Sequence, residues 1–255
     1  MATLPITKLN YKDPPSYRTV ESYRRYLRKT SNYSCAYCNI SEAESSGATF
    51  NIDHFRPKIL FSNLATECSN LRYSCPRCNS YKSDNWISVE EGCSRDCDSC
   101  TKHICQQDIP RFIDVLNEDP SQIMYLANDQ KIYVCSGSKV AQYTIDYLRL
   151  NRMQLIRLRH MREFMDKWEQ SLIEKLEEVR QNEEDIKKQR LEFVQNLDKD
   201  TDNKYYNIVD TMFQLLEAQT KQMKLLIDKE LENVKHLKEN SRGKDDRIMQ
   251  NKNST

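Results

Sequence analysis

Apolar positions change period along this chain. Before residue 140 they come in short, alternating stretches, and beyond it they recur every three or four residues over long distances. Pro14-Pro15-Ser16 closes an irregular start and opens a helix over residues 17–30. There Val20, Tyr23 and Leu27 share one face, and Arg24, Arg25, Arg28 and Lys29 share another. Apolar clusters at Phe112-Ile113, Ile123-Met124-Tyr125 and Ile132-Tyr133-Val134 flank Asn128-Asp129 and predict a hairpin. Leu155, Leu158, Met161, Met165, Trp168, Leu172, Leu176 and Val179 form one buried stripe on a long helix. Asp200-Thr201-Asp202-Asn203 interrupts it, and Val209, Met212, Leu216, Met223, Leu226, Val234 and Leu237 make a second stripe. Two long amphipathic helices around a polar turn predict a helical hairpin or coiled coil, able to oligomerise. Their methionines read as packing.

The fold class expected is therefore α+β: a small mixed unit followed by a long, mostly helical C-terminal region. The expected boundaries are a basic arm at 1–30, a compact domain at 31–140, a helical region at 141–240 and a disordered polar tail at 241–255. Within the second of these, residues 90–108 (EEGCSRDCDSCTKHICQQD from Glu90) are polar, Cys-rich and short of core residues, as an insertion would be.

Composition narrows the function classes. The net charge of the 255 residues is only +1, so the whole chain carries no electrostatic bias towards nucleic acid. Its first thirty residues differ: Lys8, Lys12, Arg18, Arg24, Arg25, Arg28 and Lys29 face only Asp13 and Glu21. Such a stretch reads equally as a phosphate-facing surface or a solvated helix face. Four glycines argue against a glycine-rich phosphate-binding fold. The start MATLPITKLN lacks the apolar core of a signal peptide, and no run approaches the roughly 18 apolar residues of a membrane span. A soluble, cytoplasmic protein with no membrane partner is expected. In that reducing setting ten cysteines read as metal ligands rather than disulfides.

Two knuckles carry this reading furthest. Cys35-Ala36-Tyr37-Cys38 and Cys75-Pro76-Arg77-Cys78 each turn two thiolates towards one point, and together they supply the four sulfurs of a structural Zn²⁺. Four thiolates leave no open position for chemistry, so this ion is a staple. Cys93, Cys97, Cys100 and Cys105, with His103 nearby, offer a second soft cluster in the insertion; free thiols, or a mixture with Cys68 and Cys135, are the alternative.

Between the knuckles stands Asp53-His54. Adjacent side chains on an extended segment point to opposite faces, so the pair can address different partners, one a metal and one a water. Asn70 and Asn79 follow downstream, Asn79 directly after the second knuckle, where a helix would begin. Bringing the knuckles together loops His54 back against that helix. The arrangement is a ββα-metal unit, a two-stranded hairpin over one helix with a divalent ion between.

CAYC, IDHFRPK and SNLRYSCPRCNSYKSD, in this order and spacing, resemble the Cys-framed form of the HNH endonucleases over about residues 33–86. More narrowly, the DPPS start, RFIDVLNEDPSQIMYL and TIDYLRLNRMQLIRLR are similar to the HNH nucleases of Septu and retron-associated anti-phage defence, which pair with an ATPase. That likeness reaches about residue 168. The resemblance implies an endonuclease acting on DNA. His54 would be the general base, Asp53 and Asn79 the ligands of Mg²⁺ or Mn²⁺, and Asn70 the amide that closes the loop holding His54. The last motif position is often His; Asn79 in its place favours Mg²⁺ over softer ions. Arg56 and Lys82, close to the motif, are expected phosphate contacts or else surface charges. A non-catalytic zinc-bound nucleic-acid adaptor is the competing reading, and a coiled-coil scaffold the weaker third.

Overall fold

The computed structural model describes residues 4–86, 108–196 and 203–242. It falls into two units, residues 1–161 with 239–255, and residues 162–238.

The first unit begins with a 3₁₀ turn over Val20–Tyr23 that runs into α1 (Arg24–Thr30). Tyr23 and Leu27 are buried, as the periodicity predicts. Much of the basic face is spent within the protein: Arg24 donates to the Phe50 carbonyl at 2.7 Å, and Arg28 grips Glu42 through two hydrogen bonds of 2.7 Å. β1 (Asn51–His54) pairs antiparallel with β2 (Leu71–Ser74), Asp53 opposite Arg72 and His54 opposite Leu71. α2 (Pro76–Lys82) follows at once. Its start is written in the second knuckle. Cys75 is the N-cap, its sulfur accepting from the Cys78 N–H, and Pro76 supplies a first residue with its dihedral already helical.

The expected hairpin forms as β3 (Met124–Leu126) and β4 (Ile132–Val134). α3 (Lys139–Tyr147) is capped by Ser138 and by the Asp108 carboxylate, 2.8 Å from the Lys139 N–H. Residues 141–161, expected with the helical region, instead contribute to the first unit: Ala141, Ile145, Leu148, Leu150 and Leu155 share one core with Tyr37, Phe50, Phe55, Leu71, Ile113 and Met124.

α4 (Met153–Gln195) and α5 (Asn203–Arg242) are the two long helices. Of the expected interruption, Asp200, Thr201 and Asp202 lie outside the described residues, and Asn203 is the first residue of α5. Within the second unit the two helices run antiparallel. Arg190 meets Asp210 at 2.7 Å and Glu217 at 3.1 Å, Lys224 meets Glu183 at 3.6 Å, and Lys238 meets Asp166 at 2.6 Å. Leu176, Val179, Leu231 and Val234 are buried there. The second expected stripe needs correction. Of its members only Val234 is buried, whereas Met212, Leu216, Met223, Leu226 and Leu237 are exposed. Met161, from the first stripe, is exposed too. The side of α5 facing α4 is instead lined by Asp210, Phe213, Glu217, Lys224 and Lys238, whose charges are matched across the pair. Paired charges here take places that apolar residues fill in a simple amphipathic helix.

No helix among the described residues is long and apolar enough to cross a membrane. The Cys93–Cys105 cluster and the tail beyond residue 242 lie outside the described residues.

Candidate active site

The frame comes first. The sulfurs of Cys35, Cys38, Cys75 and Cys78 all lie within 4.8 Å of one another, every one buried, and Cys38 and Cys75 are 3.8 Å apart. Zn–S bonds of about 2.3 Å in a tetrahedron put sulfurs about 3.8 Å apart, so the donor set fits such an ion in chemistry and in size. Local backbone builds each half. The first knuckle sits in a tight reversal where Cys35 and Ile40 share a 2.9 Å backbone bond and Asn39 takes a positive φ of 57°, which Asn tolerates. Ala36 N–H then bonds the Tyr73 carbonyl at 2.8 Å, fixing this knuckle to β2.

One residue that touches the frame's sulfurs escapes sequence reasoning. Arg152, just before α4, lies 3.5 Å from the Cys38 sulfur and 3.7 Å from that of Cys78, and packs over the Tyr81 ring. Burial alone would lower its guanidinium pKa, and the neighbouring thiolates push it up instead. Four thiolates around a dication would leave two negative charges, and Arg152 would offset part of them. No local motif announces this, because the contact spans more than a hundred residues. Cys68 and Cys135 stay free and outside this cluster.

On β1 the burial is the reverse of what polarity suggests. Ile52 is only half-buried, while Asp53 is 7 % exposed and turned inward. Its Oδ2 accepts from the Tyr37 hydroxyl and lies 3.3 Å from the Lys82 ammonium. Lys82 also donates to the His54 carbonyl at 2.7 Å. Opposite Asp53, the fully buried Arg72 is paired with Asp114. Asp114 is held by Asn117 and by its own N–H on Glu118, which is in turn gripped by Arg111. Burial of an isolated charge costs several kcal/mol, so these groups are tolerable only as pairs. Burial pushes the Asp53 carboxyl up, against the pull of Lys82 and Tyr37, and pushes the Lys82 ammonium down, against that of Asp53.

His54 is half-buried, and its Nε2 lies 2.9 Å from the Ala65 carbonyl. A carbonyl only accepts, so Nε2 carries a proton, and the neutral tautomer that this contact selects has its lone pair at Nδ1. Asn70 is buried at the foot of the same loop. Its Oδ1 accepts from the Arg56 N–H at 2.8 Å, and its Nδ2 donates to the carbonyls of Arg56 at 3.1 Å and Leu64 at 3.3 Å. The amide thus closes residues 56–70 into one turn. Asn79 is half-buried on α2, one turn before Lys82, and its side chain has no hydrogen-bond partner among the described residues.

Arg56 and Lys82 are not where the sequence puts them. They are 2 % and 0 % exposed. Arg56 is enclosed by the Phe61 and Trp86 rings, and Lys82 by Asp53 and the His54 carbonyl. Each organises the motif from inside, so neither is a surface charge or an open phosphate contact here.

No curated protein and no solved structure matches this chain. Residues 35–85, spanning the cysteine frame, both strands of the β1–β2 hairpin and α2, match the family model of the HNH endonucleases.

Proposed function

We propose that this protein is a metal-dependent HNH endonuclease that hydrolyses DNA phosphodiester bonds, with Zn²⁺ in the cysteine frame and Mg²⁺ or Mn²⁺ held by Asp53 and Asn79. The observation that carries the reading is His54: its Nε2 is committed to the Ala65 carbonyl, and it adjoins a buried carboxylate that faces α2. His54 Nδ1 takes the proton from the attacking water, the task of a general base. Asn70 keeps the loop closed so that the ring holds its direction. Asp53 and the amide of Asn79, unpartnered among the described residues, offer the hard oxygens that Mg²⁺ prefers. When bound, the ion supplies charge stabilisation at the scissile phosphate.

Plasmid nicking in Mg²⁺ tests this. We expect His54→Ala to slow cleavage about 10²–10⁴-fold, the usual contribution of a general base. Equal cleavage by both proteins would remove the catalytic reading and leave the nucleic-acid adaptor. An RNA substrate run in parallel decides between DNA and RNA.

The likeness of the flanking segments supports a place as effector nuclease of a Septu or retron-associated anti-phage system, acting with an ATPase. Exposed Ile208, Met212, Leu215 and Leu226 on α5 support docking or self-association through the helical region. An ATPase or reverse transcriptase encoded beside this chain is the expected genomic neighbour.

A further inference from the structure

The buried groups around Asp53 are not accounted for by base, ligand and loop-closing amide alone. Tyr37 is 1 % exposed and Lys82 is fully enclosed, yet both direct a polar hydrogen at the same carboxylate oxygen, Oδ2. Among the described residues the closest approach of each donor to this carboxylate falls on that oxygen, and Oδ1 accepts no hydrogen bond.

The origin of the two donors is equally specific. Tyr37 lies inside the first knuckle, between Cys35 and Cys38, whose sulfurs belong to the frame. Lys82 ends the helix that Cys75 caps and Cys78 enters. Each CxxC pair therefore delivers one donor to Asp53.

We propose that Tyr37 and Lys82 are positioning residues that lock Asp53 through Oδ2 into a one-oxygen ligand, so that the structural metal frame sets the geometry of the catalytic ion. The inference rests on the assignment of Asp53 as an ion ligand in the nuclease reading. Mg²⁺ demands near-ideal octahedral geometry and suffers from a carboxylate that swings between one-oxygen and two-oxygen binding. With Oδ2 committed to a phenol and an ammonium, the carboxylate cannot rotate. Lys82 also holds the His54 carbonyl, so one ammonium ties the Asp53 side chain to the backbone of His54.

The test uses full-length, zinc-loaded protein and Mn²⁺ as the probe. Mn²⁺ binding is followed by electron paramagnetic resonance, and cleavage by the Mn²⁺ concentration that gives half-maximal rate. Partners outside the ligand shell typically change metal affinity by about 10–100-fold. Tyr37→Phe, with native zinc content, should therefore weaken Mn²⁺ binding about tenfold or more, and the loss should appear in the Mn²⁺ midpoint rather than in turnover at saturating Mn²⁺. An unchanged midpoint overturns the proposal. If Tyr37→Phe loses zinc, Lys82→Gln takes its place with the same expected shift, and Lys82→Arg should recover part of it. Mn²⁺ binding that is indifferent to Asp53→Asn overturns the proposal as well. Wild-type protein that binds Mn²⁺ through Asp53, loosens it in Tyr37→Phe and cleaves nothing would uphold the positioning role and sink the nuclease reading.

Discussion

The two units of this chain solve opposite problems. Residues 1–161 bury charge: Asp53, Arg72, Lys82, Asp114 and Arg111 all lie inside a modest apolar core. Residues 162–238 expose apolar groups: Ile208, Met212, Leu215, Leu225 and Leu226 are all more than half exposed, while ion pairs line the seam between α4 and α5. Buried polar groups stay put only where something other than apolar burial holds the backbone, and the four-cysteine frame stands where it can do this for the first unit. The hairpin needs no such clamp, because helices of 43 and 40 residues satisfy their own backbone groups.

That contrast breaks most sharply on the metal. Chelation or Cys38→Ser should unfold the first unit, since structural zinc in small domains is worth about 10–16 kcal/mol and whole-domain stability is only about 5–15 kcal/mol. Each unit carries one tryptophan, Trp86 and Trp168, so a Trp168→Phe background reports the first alone. We expect the Trp86 emission to collapse while most of the helical signal at 222 nm persists; joint loss of both would erase the distinction drawn here.

A smaller effect is expected at the charges buried beneath β2. Asp114→Ala leaves Arg72 without its carboxylate, and breaking a buried pair from one side costs about 3–5 kcal/mol. Denaturant unfolding followed at Trp86 measures it. A cost below about 1 kcal/mol would put this pair on a par with exposed ones.

The smallest effects belong to the hairpin. Lys187, with Lys224, holds the Glu183 carboxyl below its ordinary value of 4.5, so its contribution is present above that pH and is lost as pH falls through the lower folded value. Lys238 is held above its ordinary 10.5 by Asp166 and Glu169; its contribution is present below 10.5 and fades as pH rises through the higher folded value. Between these limits the thermal midpoint of the hairpin should be flat, dropping by a few degrees in strong acid and in high salt, which screens exposed pairs. Insensitivity to both would mean that the apolar residues of the seam hold it alone.

Much of the motif is legible without coordinates because covalent spacing sets it. CxxC can turn two sulfurs towards one point whatever surrounds it, and Pro76 after Cys75 starts a helix for local reasons. Asn70 was legible as the loop-closing amide because of its place in the motif. What failed were judgements of which side faces in. Arg56 and Lys82 look like surface cations because charge is usually solvated, and the second stripe looks like a core face because Met and Leu usually are. Both rules describe averages over surfaces, and both give way where a specific partner from a distant part of the chain is in reach.

The sequence by itself determined the order of elements, the four thiolates, the Asp-His pair on an extended strand and the long helices, since each depends on residues a few positions apart. Only the tertiary structure decided that Tyr37 and Lys82 meet on one oxygen of Asp53, that Arg72 finds Asp114, and that Arg152 returns to the frame from beyond residue 150. Those contacts join positions 16, 29, 42 and 114 residues apart. No local periodicity encodes them, because a charge can be buried only where the folded chain brings its counter-charge.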